Sequence, residues 1–590
     1  MDRTERHIRF VVLGAGPAGL QMAYFLQKAG ADYVVLERAE APGLFFRRFP
    51  RSRSLISFNK TSSVFDDPEI QLRWDWNTLL THDHSFPFRE YSRRLYPLAD
   101  ELVRYLAGFR EAYDLDVRFG TEVVSVSPAR DGDGASDASA AGRTEPGDAA
   151  WSLRTADGDT WTCEALVVAT GFGRPYVPAI PGIEHAIGYE EAPFDPGPYE
   201  GRRVLVVGKG NSALEVADVA LESAAVVHVA SPTPLTMAHR THHPGHVRAN
   251  HARILDGYHL KTLNSVLNCQ IQSIVPVDGD ASPGDAPHDG GMGDGAGSGG
   301  EGQQDGPFVV TVAYTRADGE VDELVYDVVV RCTGFAFDGG VFETHPRTVL
   351  DGRLPDITPY WESTSHPGVF FAGSLMQARD FKVAASAFID GFRYNVRTLY
   401  RHLMERYEDR PYPRRTLRLD AELLASTVAE RACHTSGLWN QFRYLCDLFV
   451  VGDEGIDWYE EVPFQAVEEG LMAEEPWYYT LTFEWGRWEG NPMDIQRHPE
   501  ASQAHRSVFL HPVVRRWRHG EVLDQHHLLE DLFGVYAAHR EARAILSHSG
   551  LDIEEYHRQH HEAPLVEYFR SHTGSADRGD PSVAPQTAHP

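Results

Sequence analysis

Short apolar runs closed by glycine recur through the first two thirds of the chain. Ile8–Leu13 leads into Gly14-Ala15-Gly16-Pro17-Ala18-Gly19, after which apolar positions recur at helical spacing to Leu26. Val204–Val207 leads into Gly208-Lys209-Gly210-Asn211-Ser212-Ala213, again followed by a helical pattern. A short run of this kind predicts a strand buried on both faces. The helix-period segment after it completes a strand–turn–helix unit. Leu166–Gly171 and Gly368–Ser374 predict two further buried strands, each ending in a glycine turn.

Two stretches interrupt this pattern. Arg130–Ala150 and Val277–Pro307 are rich in Gly, Asp, Ser and Ala and nearly free of large apolar residues. Such segments bury too little surface to offset ordering entropy, so both are predicted to be disordered loops. A strand-like run follows each, Trp151–Thr155 and Phe308–Thr315, so each reads as an inflated turn inside a domain. The tail 575–590 reads the same way. Beyond about Asp409 the pattern changes to helical runs with many Trp, Tyr and His.

The expected architecture is α/β, with two Rossmann-like dinucleotide-binding domains and a mixed, largely helical C-terminal region. Residues 1–181 and 332–403 form the first dinucleotide domain and 201–331 the second. Residues 409–570 form a cap or a homodimerisation region.

Charge and composition narrow the partners. The chain has 590 residues and a formal net charge of −30. That balance disfavours nucleic acid, whose phosphates would be repelled over most of the surface. The five cysteines form no close-spaced pair, which argues against a disulfide framework and against a zinc site. A reducing cytoplasm is expected. The polar start, Met1–Arg9, reads as no signal peptide, and no apolar stretch is long enough to span a bilayer.

The first glycine loop has the chemistry of a pyrophosphate site. Gly14 allows the tight turn, Gly16 the approach of a phosphate, and Gly19 close packing of helix on strand. The helix N-terminus at Pro17 and Ala18 offers N–H groups and a favourable dipole. The next strand, Tyr33–Leu36, ends in Glu37-Arg38. A carboxylate there accepts from a ribose diol and repels a 2′-phosphate, so the ligand is FAD or NAD. Thr170 and Gly171, Gly334, and Gly373 and Ser374 close the strands expected to return and line the flavin.

In the second loop Ala213 stands for the third glycine, a tolerated variant. The following strand, Val226–Ala230, ends in Ser231 without an acid, and Arg240 lies just downstream. NADPH is therefore expected over NADH. Basic residues crowd His239–Arg253: His239, Arg240, His242, His243, His246, Arg248, His251 and Arg253. This cluster is open to four readings: NADP phosphate, an anionic substrate, a metal, or a solvated loop. No carboxylate joins the histidines at metal spacing, so no metal is assigned.

These loops resemble those of the flavin-containing monooxygenases, which pair Gly-x-Gly-x-x-Gly for FAD with Gly-x-Gly-Asn-Ser for NADPH. Nearly the whole chain resembles the FAD-dependent oxidoreductase domain-containing family, which includes a flavoprotein of the endoplasmic reticulum. The matching segments are LGAGPAGLQMAYF at Leu13–Phe25, LISFNK at Leu55–Lys60, GKGNSA at Gly208–Ala213, LDGYHLKTL at Leu255–Leu263 and GFRY at Gly391–Tyr394. FLHP at Phe509–Pro512 and HHLLEDLF at His526–Phe533 match as well. Two departures stand out. The reticulum members carry a signal peptide and a retention tail, and this chain is read as having neither. The monooxygenase fingerprint Phe-x-Gly-x-x-x-His-x-x-x-Tyr is altered at Ile180–Tyr189, where the aromatic is missing and His185 is out of register.

The resemblance implies an enzyme in which NADPH reduces FAD and O₂ then forms a flavin C4a-hydroperoxide. That species would oxygenate a soft nucleophile, an amine nitrogen above all, with an amino acid such as aspartate in view. Asn59 falls where the monooxygenases place an asparagine beside the reactive flavin edge. Lys60 either pairs with a phosphate or is solvated. Arg248 and Arg393 are candidates to grip a substrate carboxylate, which suits a guanidinium fork. The partners expected are thus a small molecule and O₂. The alternatives are a reductase or oxidase without oxygen insertion, a dithiol–disulfide enzyme, and a non-catalytic FAD-binding interaction protein.

Overall fold

The computed structural model describes residues 5–129, 150–237, 247–248, 251, 253–257, 261–277, 306–487, 497–498, 500–537 and 552–573. The first unit is a five-stranded parallel sheet. At its centre is β1 (Phe10–Leu13), buried along its whole length. β1 feeds α1 (Pro17–Ala29), which starts on a proline and ends on Gly30 in the left-handed conformation at φ 67°. The chain then returns as β2 (Tyr33–Leu36). Strands Ala165–Val168 and Val369–Phe371 add on the other side of β1, and Val117–Arg118 adds beyond β2.

Register matters more to function than order does. Leu13 lies opposite both Leu36 and Val168, and Val168 lies opposite Phe371. Four strands from distant parts of the chain therefore finish level. Their carboxyl ends deliver Gly14, Glu37, Thr170 and Gly373 to one edge, where open α/β sheets bind ligands.

The second unit is a seven-stranded sheet. Its core strands are β3 (Arg203–Val207) and β4 (Val226–Ser231), parallel and joined by α2 (Asn211–Ala220). Beyond β4 the long strand Ser265–Pro276 turns back antiparallel into Phe308–Tyr314, with Pro276 opposite Phe308. In the first unit Val123–Pro128 and Trp151–Thr155 pair the same way, with Pro128 opposite Trp151. The two stretches read as disordered loops leave from these hairpin ends and, with the tail 575–590, lie almost wholly outside the described residues.

The C-terminal region is mixed, as expected. Its helices include Ala421–His434 and Ala563–Thr573, and they accompany a six-stranded antiparallel sheet that the helical emphasis did not foresee. One continuous core joins this region to the first unit. It runs from Phe10 and Tyr24 through Tyr394 and Leu399, on α3 (Ile389–Glu408), to Leu424, Phe449 and Phe569. Each such side chain contributes about 1.5–3 kcal/mol on burial. Arg73 pins the same junction: its fully buried guanidinium donates to the carbonyls of Ala432, Cys433, Thr435 and Gly534. No helix among the described residues is long and apolar enough to cross a membrane.

Candidate functional site

The three glycines of the first loop do three different things. Gly14 has φ +99°, and a Cβ there would lie 2.9 Å from the Ala169 carbonyl oxygen. A Cβ on Gly19 would lie 1.9 Å from the Gly14 carbonyl oxygen, so helix and loop are in backbone contact. Gly16, by contrast, has nothing within 4 Å of its Cβ position, and it caps α1 without a side-chain hydrogen bond. Open space lies over uncapped N–H groups, which suits a pyrophosphate. Glu37 is buried beside the loop, its carboxylate accepting from the N–H of Ala15 at 2.7 Å and of Ala39 at 2.8 Å. A carboxylate has further lone pairs for a ribose diol. Arg38, next to it, is exposed.

The returning strands close on the same place. A Cβ on Gly373 would lie 2.8 Å from Cβ of Ala18, and one on Gly171 would lie 3.6 Å from Oγ of Ser374. Thr170 is exposed at this edge. Gly334 lies on the crossover between the units, its carbonyl accepting from the N–H of Tyr176 at 2.9 Å. These residues fit an FAD, which would supply the redox chemistry.

The second loop repeats the geometry. Gly208 has φ +123°, and a Cβ there would lie 2.2 Å from the Cys332 carbonyl oxygen. Gly210 has nothing within 4 Å and caps α2 without a side-chain bond. Ala213 is fully buried in the core of this unit. Ser212 and Ser231 are half-buried. Arg240, and with it His239, His242, His243 and His246, lies outside the described residues. The loop fits a second dinucleotide.

The LISFNK segment packs against Arg248 through Phe58. Asn59 is buried, and its Nδ2 donates to the carbonyls of Ser92 at 2.8 Å and Arg94 at 3.2 Å. Its Oδ1 is buried without a protein partner. Lys60 behaves differently: it is exposed, with Nζ 5.8 Å from the Trp74 ring. That position suits the solvated reading of Lys60, one of the two expected for it.

Arg248 is buried, its guanidinium 5.4 Å from the Phe58 ring and 5.1 Å from the Trp76 ring. Its main-chain N–H donates to Oδ1 of Asn211, the asparagine of the second loop, at 3.2 Å. Arg393 is fully buried, and its terminal nitrogens donate to the carbonyls of Asp75 at 3.0 Å, Thr78 at 2.7 Å and Leu72 at 2.7 Å, while Nε has no protein partner. Three backbone acceptors on the fork favour a scaffold role over the expected grip on a substrate carboxylate.

Asp390, on the first turn of α3, was not foreseen. Its carboxyl is buried and Oδ1 has no protein partner. Burial pushes it up to about 7, while the charges of Arg393 and Arg248 pull the other way and that of Asp75 adds to the rise. Phe58, Trp76 and Arg248 thus pack together beside the second glycine loop, Asp390 feels the Arg248 charge, and Asn59 adjoins Phe58 in the chain.

A clamp holds the units together. Glu215 on α2 is buried and accepts from the Tyr189 hydroxyl at 2.9 Å and from the Ser52 N–H at 3.2 Å. The Tyr189 oxygen in turn accepts from the Arg51 N–H at 2.9 Å. Phe49 stacks on Tyr189, ring centroids 5.6 Å apart.

Several known proteins are similar to this chain. The family model described as pyridine nucleotide-disulphide oxidoreductase matches residues 11–134 and 143–282. FAD-dependent oxidoreductase domain-containing protein 2 of Mus musculus is 32% identical over 551 residues, 87% of this chain and 76% of that protein. Its counterpart in Danio rerio is 32% identical over 543 residues, with the same shares covered. The chain belongs to the FAD-dependent oxidoreductase domain-containing protein 2 family. It is a flavin-dependent oxidoreductase whose cofactors are FAD and a pyridine dinucleotide, NADPH being the form expected from Ser231. An Arabidopsis thaliana flavin-containing monooxygenase, FMO GS-OX-like 5, is 30% identical over 237 residues, 37% of this chain and 50% of that protein. A flavin-containing monooxygenase from Stenotrophomonas maltophilia has TM-score 0.46 and 21% identity, with 68% of this chain and 99% of that one covered.

Proposed function

We propose that this protein is an NADPH-using monooxygenase that places one oxygen atom of O₂ on an amine nitrogen, that of a carboxylate-bearing substrate such as an amino acid. The other oxygen atom leaves as water, with NADPH and a proton supplying the electrons and hydrogen. The observation that carries this reading is the buried Arg248, a cation held against the faces of Phe58 and Trp76. Asn59, next to Phe58 in the chain, adds a buried Oδ1 without a protein partner.

The flavin, when bound, supplies electron transfer and oxygen activation. The chain's own residues do the rest. Phe58 and Trp76 exclude water and hold the guanidinium plane by cation–π contact. Arg248 orients an anionic group of the substrate. Asn59 is fixed by two carbonyls, so its free oxygen accepts a hydrogen bond at a set point without titrating.

A dithiol reaction is disfavoured by the thiols themselves. All five cysteines are buried and unpaired, and burial raises the thiol pKa of every one, to about 11 for Cys269 and Cys433. Thiols of that kind are poor nucleophiles. They also support a reducing compartment, the cytoplasm.

The test is a panel of amino acids and amines added to the FAD-loaded protein with NADPH in air, reading hydroxylated product and hydrogen peroxide separately. Product matched to NADPH consumption supports oxygenation. Peroxide alone assigns an oxidase, and no flavin bleaching by NADPH assigns a non-catalytic flavoprotein.

A further inference from the structure

In a Rossmann unit the end of the second strand faces the adenosine ribose, and the residue there decides between a free 2′-hydroxyl and a 2′-phosphate. The two units of this chain can be compared at that position. In the first, β2 ends in buried Glu37. In the second, β4 ends in Ser231, and the turn after it receives a cation from elsewhere. Lys209, the residue between Gly208 and Gly210, reaches across so that Nζ donates to Oγ1 of Thr233 and to the carbonyl of Pro234. That turn is itself held, because Thr315 Oγ1 donates to the carbonyl of Pro232 at 2.9 Å.

The ammonium is thus placed by a hydroxyl and a backbone carbonyl of one turn. An ammonium has three N–H donors, so two bonds to the turn leave one for a ligand. Thr233 accepts from Lys209 and keeps its own hydroxyl proton to donate outward. The surrounding charge points the same way. Burial and a second cation, Lys382, both act against the Lys209 charge. Lys382 is itself held at φ +60°, beyond the end of the first unit's strand Val369–Phe371. Two cations that repel one another are stabilised by an anion, and by a dianion most of all.

We propose that Lys209, supported by Lys382, reads the 2′-phosphate of the pyridine dinucleotide. The second strand of the first unit ends in a carboxylate, whereas that of the second unit ends at a turn holding an ammonium, so one chain sorts its two dinucleotides by opposite charge at equivalent strand ends. This rests on the reading that the second loop takes NADPH, and adds the residues that select it.

The test is binding rather than turnover. Dissociation constants of 2′,5′-ADP and 5′-ADP are measured by calorimetry on the FAD-loaded protein, for wild type, Lys209→Gln, Lys209→Arg and Lys382→Gln. Retained flavin confirms the fold of each variant. Wild type is expected to prefer 2′,5′-ADP. Lys209→Gln should lose about 10–100-fold for that ligand, as for a charge-assisted hydrogen bond, with 5′-ADP little changed. Lys209→Arg should recover part of the loss, and Lys382→Gln should show a smaller one. A wild-type preference that survives in Lys209→Gln overturns the proposal and leaves the NADPH reading standing. Equal loss of both ligands in Lys209→Gln also overturns it. A wild type without preference overturns both.

Discussion

Asn211 Oδ1 accepts the main-chain N–H of Arg248 at 3.2 Å, so the second glycine loop sets the backbone of the arginine. Arg248 is in turn held by Phe58 and Trp76 of the first unit. Asn211→Ala removes the tether and leaves the ring contacts. The expected result is retained flavin with slower flavin reduction by NADPH, by about 3–10-fold for a hydrogen bond of 0.5–1.5 kcal/mol. Anaerobic stopped-flow reduction checks it; an unchanged rate would show that the tether does not matter to hydride transfer.

Gly16 and Gly19 separate binding from folding. A Cβ on Gly16 meets open space, whereas one on Gly19 would sit 1.9 Å from the Gly14 carbonyl oxygen. Gly16→Val should therefore fold and lose flavin, because its side chain fills the ligand's space. Gly19→Val should fail to fold or lose most of its stability. Far-UV circular dichroism, thermal unfolding and flavin content, measured together, distinguish the two outcomes.

The glycine loops were legible because their chemistry is local: an apolar strand, a turn and a helix lie within one short window. The level strand ends were not, since Val168 and Phe371 meet β1 only in the folded sheet. Arg393 shows the cost of reading a side chain without its surroundings. A fork that suits a substrate carboxylate suits backbone carbonyls equally well, and its three acceptors lie more than 300 positions away in the chain. Asp390 directly precedes the GFRY segment, and in sequence it is only a first-turn acid, since its burial comes from the fold. The C-terminal strands were hidden by their burial. Tyr478–Glu484 is buried on both faces except at its end, so it lacks the alternation that marks a half-exposed strand. Tyr189 runs the other way: its altered fingerprint lowered expectations, yet its hydroxyl closes the clamp on Glu215.

Asp390 makes stability depend on pH. Burial raises its carboxyl from 3.8 to about 7 in the folded protein. The folded state therefore keeps a proton that the unfolded chain releases near 3.8. The stability from this group is complete below 3.8, falls as pH rises towards 7, and then levels off. Asp380, also raised to about 7 by burial, acts in the same direction. Asp390→Asn mimics the neutral acid and does not titrate. The variant should match wild type near pH 4 and exceed it at pH 8, by on the order of a few kcal/mol. Thermal unfolding at both pH values checks this, and a gap independent of pH would contradict it.

Arg248 and Arg393 should divide substrate binding from stability. Arg248 stacks on two rings, and its charge reaches Asp390. Arg393 is fully buried, with three carbonyls in its fork. Arg393→Lys replaces a planar fork by a point charge that cannot meet all three carbonyls at once. It should lower the unfolding temperature, with a loss of about 2–4 kcal/mol from buried acceptors left unpaired, and leave KM for an anionic substrate close to wild type in the protein that folds. Arg248→Lys keeps the charge but loses the stacking plane. Its stability should change little, while KM for a carboxylate-bearing substrate rises by about 10-fold or more through weaker charged hydrogen bonding. A neutral amine offered to the same two variants supplies the control, since it lacks the group that Arg248 would hold. If Arg248→Lys raises KM for both substrates alike, the arginine shapes the pocket rather than gripping a carboxylate.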